Sequence, residues 1–261
     1  MRHRQVPSRG RTSRSEYESR DRRDLSVSPE ETELLRYLRK YSRQLVVLVY
    51  AGAPLDLKEI DSYADAVVLV GFGGQNVSQA VAGVLSGRVC PSGRLTETWA
   101  LSLSDIPAVQ SPVDEAHIYY TEGRMVGYRY FTTAGQPVLY PFGYGLSYTT
   151  FSLDALTVEP GDGIFTVGVT VRNTGARAGA EVVQVYVRRC SAPEGYPLRE
   201  LRAFGKVMLA PGACRRMIFT LTDDDFSYYT ADGTRVYPHE TYAVEIGKNA
   251  AEIMPSEVIR R

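Results

Sequence analysis

Residues 119–151 read YYTEGRMVGYRYFTTAGQPVLYPFGYGLSYTTF. The stretch is dense in tyrosine and glycine and has neither helix nor strand periodicity. Before it, helical patterns alternate with short apolar runs. After it, side chains alternate with the period of two that marks strands. The stretch therefore reads as the joint between two domains, occupying 102–148. A flexible linker would be rich in glycine and serine and polar. Each buried ring removes a large apolar area from water, so this joint is expected to be ordered. A packed interdomain loop is the favoured reading, ahead of a ligand platform.

On the N-terminal side, Ser28-Pro29-Glu30-Glu31 marks a helix start. Ser28 caps, Pro29 fits the first helical position, and Glu31 completes a capping box. Leu34, Leu38 and Tyr41 then give one apolar face. Val46–Tyr50 and Ala66–Val70 are short apolar runs, read as strands buried on both faces. Gly71-Phe72-Gly73-Gly74 turns the chain into a second helix with Val77, Val81, Val84 and Leu85 on one face, ended by Gly87. Such alternation implies a parallel sheet with helices packed over it. Leu101–Ala116, with Pro107 and Pro112, reads as loop.

On the C-terminal side, Phe165, Val167, Val169 and Val171 alternate with Thr166, Gly168, Thr170 and Arg172. Asn173-Thr174-Gly175, Pro211-Gly212 and Asp232-Gly233 supply turns. Glu181–Val187, Lys206–Leu209, Met217–Leu221 and Thr241–Ile246 are further strands. Several short strands over about 100 residues predict a β-sandwich.

Among 261 residues, Lys+Arg and Asp+Glu are both 30, which argues against a nucleic-acid binder. Arg2, Arg4, Arg9, Arg11 and Arg14 crowd residues 1–15, read as a disordered basic tail. Cys90, Cys190 and Cys214 are odd in number and far apart, so reduced thiols are expected. With only His3, His117 and His239, no Cys/His metal spacing occurs, and no metal is expected. No bilayer-spanning run and no signal-peptide core is visible. The expectation for a complete chain is a cytoplasmic protein without membrane or nucleic-acid partners.

Several motifs resemble one family. Glu122-Gly123, Val126-Gly127-Tyr128-Arg129-Tyr130 and Pro141–Tyr148 (PFGYGLSY) are similar to the late part of family 3 glycoside hydrolases of the β-glucosidase type. Pro91-Ser92-Gly93-Arg94-Leu95, with Glu97-Thr98, matches the segment that closes their sandwich domain. The resemblance spans about Glu16 to Ile253. It implies a partial α/β sandwich, 16–101, followed by a fibronectin-III-like (immunoglobulin-like) β-sandwich, 149–255. It also implies a retaining hydrolase, whose two carboxyl groups lie roughly 5–5.5 Å apart, one nucleophile and one acid/base. The family's nucleophile is an aspartate on a (β/α)8 barrel, and these residues contain no such motif. Ser104-Asp105 lies in the loop after the sandwich segment and is not that motif.

The family's acid/base is the glutamate of an E-G-x-D-R segment. Glu18-Ser19-Arg20-Asp21-Arg22, followed by Leu25, Val27 and Pro29, has that layout, with Ser19 in place of glycine. Glu18 is the candidate catalytic acid, and Glu16 the alternative. The chain is expected to be inactive alone, to need a barrel, and to act then on a β-linked glucoside or oligosaccharide without a cofactor. A non-catalytic binding or scaffold module is the rival reading.

Other motifs carry less. In Gly71–Asn76, Asn76 occupies the third glycine position of a dinucleotide fingerprint. Asp223-Asp224-Asp225 lacks the alternating ligands of a calcium loop and reads as an acidic turn. Trp99, the single tryptophan, reads as wall packing ahead of sugar stacking.

Overall fold

The structure is a computed structural model that describes residues 8–10, 25–110, 117, 119–230 and 232–261. The first part is built from β1 (Ser8–Gly10), α1 (Pro29–Tyr41), β2 (Val46–Tyr50), α2 (Lys58–Tyr63), β3 (Ala66–Leu69) and α3 (Val77–Leu85). The three strands form a parallel sheet in the order β1-β2-β3. Ser8–Gly10, placed in a disordered tail from sequence, instead pairs with Leu48–Tyr50.

The capping box at α1 forms as expected. Glu31 N donates to Ser28 Oγ (3.3 Å), and Ser28 N donates to Glu31 Oε2 (3.0 Å). The buried face differs from the expected Leu34–Leu38–Tyr41 stripe. Leu34 and Tyr41 are exposed, while Thr32 and Leu35 are buried. The reason is α2, whose Glu59 accepts a 2.7 Å bond from Thr32 Oγ1, so a polar residue turns inward. Strand β2 is buried on both faces through Val47, Leu48 and Val49. Strand β3 is not, because it lies at the sheet edge, and Ala66 and Leu69 are exposed. The valines of α3 and its Leu85 are only half-buried.

The described residues of the joint contain regular structure that periodicity did not show. A short antiparallel pair joins β4 (Trp99–Ala100) to β5 (Val138–Tyr140). Helix α4 (Tyr128–Ala134) is bounded by Gly127 (φ 56°) and Gly135 (φ 61°), where a side chain would be strained. Within the expected loop 101–116, Leu103–Asp105 and Pro107–Gln110 are 3₁₀ turns.

The second part is a β-sandwich. One sheet runs β10 (Cys214–Thr222), β7 (Ile164–Asn173), β6 (Phe151–Pro160). The other runs β14 (Ile253–Arg260), β13 (Thr241–Gly247), β8 (Gly179–Arg189), β9 (Glu200–Leu209). The inward residues of β7, Val167, Val169 and Val171, are at most 1% exposed and pack in one cluster with Val183, Val185, Leu221 and Val244. A short hairpin, β11 (Tyr228–Tyr229) and β12 (Arg235–Val236), turns at Asp232-Gly233 as read. Strand β14 carries the sandwich past the expected end at 255. Among the described residues, no helix is long and apolar enough to cross a membrane.

Sheet β14-β13-β8-β9 is roofed by the joint. Tyr186 on β8 is fully buried, its ring edge-on to Tyr128 at 5.8 Å and its hydroxyl donating to Gln184 Oε1 at 2.5 Å. Burial pushes its pKa well above the usual tyrosine value of about 10. A raised folded pKa contributes stability that is full below the unfolded value and is lost as pH climbs above it. Stability is therefore expected to fall above pH ~10, by up to about 1.4 kcal/mol per pH unit from this group. Tyr186→Phe is expected to make that alkaline fall shallower, checked by urea midpoints at a series of pH values from neutral to strongly alkaline. An equally steep fall in the variant would contradict the assignment.

Candidate active site at the carboxyl edge of the sheet

Because β1, β2 and β3 are parallel, one edge of the sheet collects all three carboxyl ends. That edge carries the turn 51–57 after β2 and the glycine-rich turn 71–76 after β3. Ligands of open parallel sheets bind at this edge, where the connections are free to vary. Glu16 and Glu18 both belong to the segment after β1 and lie outside the described residues. Leu25, where the described chain resumes, meets the turn after β2, since Asp56 N donates to Leu25 O at 2.7 Å.

The two other turns touch. A methyl group on Gly52 would lie 2.2 Å from Phe72 Cε2, so only glycine leaves room for that ring. Phe72 is nonetheless 74% exposed, an aromatic face at the edge with one side on Gly52. The turn 71–76 lies between β3 and α3, as read from the sequence.

The remaining candidates are used by the fold. Asp105 accepts from Ser102 N (2.9 Å) and caps a 3₁₀ turn. Asp225 caps a 3₁₀ turn over Asp223–Phe226 by accepting from Thr222 N, Asp224 holds Arg235, and Asp223 holds Arg261. Trp99 is 2% exposed and packs beside Tyr140 at 6.3 Å, which makes it wall rather than platform. Tyr140 donates to Asp61 (2.6 Å), and burial, helped by that carboxylate, raises its pKa.

What sequence reasoning missed is the link that fixes the segment 91–95 to the sandwich. Leu95 N donates to Tyr144 O (2.9 Å) and Gly143 N to Leu95 O (2.8 Å), so the segment 91–95 lies along Pro141–Tyr148. From it Arg94 reaches β8 and meets Glu181 at 2.5 Å, with side chains only 9% and 5% exposed. Glu181 Oε1 also accepts from Val182 N. The two residues stand 87 apart in sequence. Arg94 lay inside a recognised motif, and Glu181 inside a predicted strand, but nothing paired them.

A family model described as the glycosyl hydrolase family 3 C-terminal domain matches residues 6–148. The chain belongs to glycoside hydrolase family 3. A second model, the fibronectin type III-like domain, matches 181–250. A family 3 relative, the thermostable β-glucosidase B of Acetivibrio thermocellus, is 35% identical over 94% of this chain but only 33% of its own length. The exo-α-(1→6)-L-arabinopyranosidase of Bifidobacterium breve is 34% identical over 92% of this chain and 32% of its own. The crystal structure of the family 3 β-glucosidase of Bifidobacterium adolescentis superposes with a TM-score of 0.93 at 32% identity, covering 98% of this chain and 38% of that one. The chain thus spans about a third of the length of the relatives it matches, and it corresponds to the C-terminal part of family 3 enzymes.

Proposed function

We propose that this chain is the non-barrel part of a retaining β-glucosidase-like hydrolase, with Glu18 as its general acid/base. The observation that supports this is the family match over 6–148, which covers both Glu18 and the parallel sheet. The nucleophilic aspartate would come from a (β/α)8 barrel outside these residues, closing over the edge and covering Phe72. The chain alone is then inactive, and a separate barrel is its partner. The working division is a sheet domain to residue 101, a joint over 102–148 and a sandwich from 149. The cysteines stand free, with Cys190 and Cys214 exposed, which suits a reducing compartment such as the cytoplasm.

Glu18 would protonate the leaving oxygen and later deprotonate the attacking water, while the barrel aspartate holds the sugar covalently between the two steps. Trapping that intermediate tests the division of labour. The chain is mixed with a separately expressed family 3 barrel and 2-deoxy-2-fluoro-β-glucosyl fluoride, and both polypeptides are weighed by mass spectrometry. The barrel is expected to gain one sugar and this chain none. A sugar on this chain, or on neither, would overturn the proposal.

A further inference from the structure

We propose that the joint holds a second, non-catalytic binding site for a neutral sugar ring. Between α4 and the sandwich lies a cavity of about 330 Å³. That is at the small end of the range for ligand sites. Its apolar wall is made by Tyr128, Phe131 and Phe142. Tyr128 and Phe142 are stacked 5.0 Å apart. Such faces suit the C–H face of a pyranose, which is apolar across its ring while its hydroxyls point outward.

The polar groups are few, and most are used by the fold: Thr132 Oγ1 donates to Tyr128 O, and the Tyr128 hydroxyl accepts from Leu201 N. Thr98 lines the cavity, and its Oγ1 is buried without a hydrogen-bond partner among the described residues. Gln136, on the turn after α4, offers an amide that both donates and accepts. Arg199 is already neutralised, its Nε 2.8 Å from Glu245 Oε2 and its Nη1 donating to Ala250 O at 3.1 Å. With no free positive charge, the cavity favours a neutral polyol over a phosphorylated one.

The choice of a sugar rests on the hydrolase reading; the chemistry of the cavity does not. Calorimetric titration of the whole chain with methyl β-D-glucopyranoside is expected to give a dissociation constant on the order of 1 mM. Gln136→Ala is expected to weaken it about tenfold, and Glu18→Gln to leave it unchanged. Glucose 6-phosphate is expected to bind no better than the neutral glucoside. No heat of binding, binding indifferent to Gln136→Ala, or tighter binding of the phosphate would overturn the inference. Binding lost only in Glu18→Gln would place the sugar at the sheet edge, sinking this site while favouring the hydrolase reading. Binding here alongside an inactive barrel mixture would do the reverse.

Discussion

Glu181→Ala is expected to cost about 3–5 kcal/mol, because it strands the Arg94 guanidinium in a buried site. The pair is nearly solvent-free at 9% and 5% exposure, and Arg94 would keep only its bond to Gly93 O. Domains are stable by about 5–15 kcal/mol, so this one change removes a large share. In a chain of this size the melting midpoint should drop by about 6–20 °C. The loss reflects the unpaired charge more than the worth of the pair. Hence Arg94→Met with Glu181→Leu, which removes both charges at similar volume, should recover most of the midpoint. A loss under about 1 kcal/mol for Glu181→Ala, the value of an exposed pair, would mean the link is not buried in solution.

Glu18→Gln should lower hydrolysis by a barrel mixture about 10²–10⁴-fold, the usual contribution of one positioned acid/base. Glutamine keeps the shape and removes the proton. The loss should therefore be largest for alkyl glucosides, whose leaving oxygen needs protonation, and smallest for dinitrophenyl glucosides, which leave without it. Glu16→Gln, prepared in parallel, should change the rate little. If the two variants exchange these behaviours, Glu16 is the acid. If leaving group makes no difference in either, neither residue protonates the substrate.

Element type was legible where one face is clearly buried and the local signals agree. Ser28 with Glu31 gave the start of α1, and Val167, Val169 and Val171 gave β7, because cap chemistry and a two-residue period are local. The misses have local causes too. Helix α2 is six residues long with Leu57 at its cap and no side-chain bond there. Strand β6 escaped because its pairing with β7 slips between Asp154 and Thr157, with Ala155 at φ 51°. Helix α4 was hidden by its many aromatic residues and its two glycine boundaries.

Burial was less legible than type. The α1 stripe was misjudged because Thr32 is held inward by Glu59, a partner from an element not yet seen. The edge position of β3 depends on strand order, which its apolar run does not encode. At the candidate site, Glu18 rests on its motif alone and lies outside the described residues. The Arg94–Glu181 link was not legible, since a charge carries no record of which distant charge it meets.

The most direct measurement is the initial rate of nitrophenol release from an aryl β-glucoside by three samples: this chain, a family 3 barrel, and the two mixed. The account predicts near silence from each part and turnover from the mixture. Steady turnover by this chain alone, surviving removal of contaminants, would contradict it, because these residues would then carry their own nucleophile.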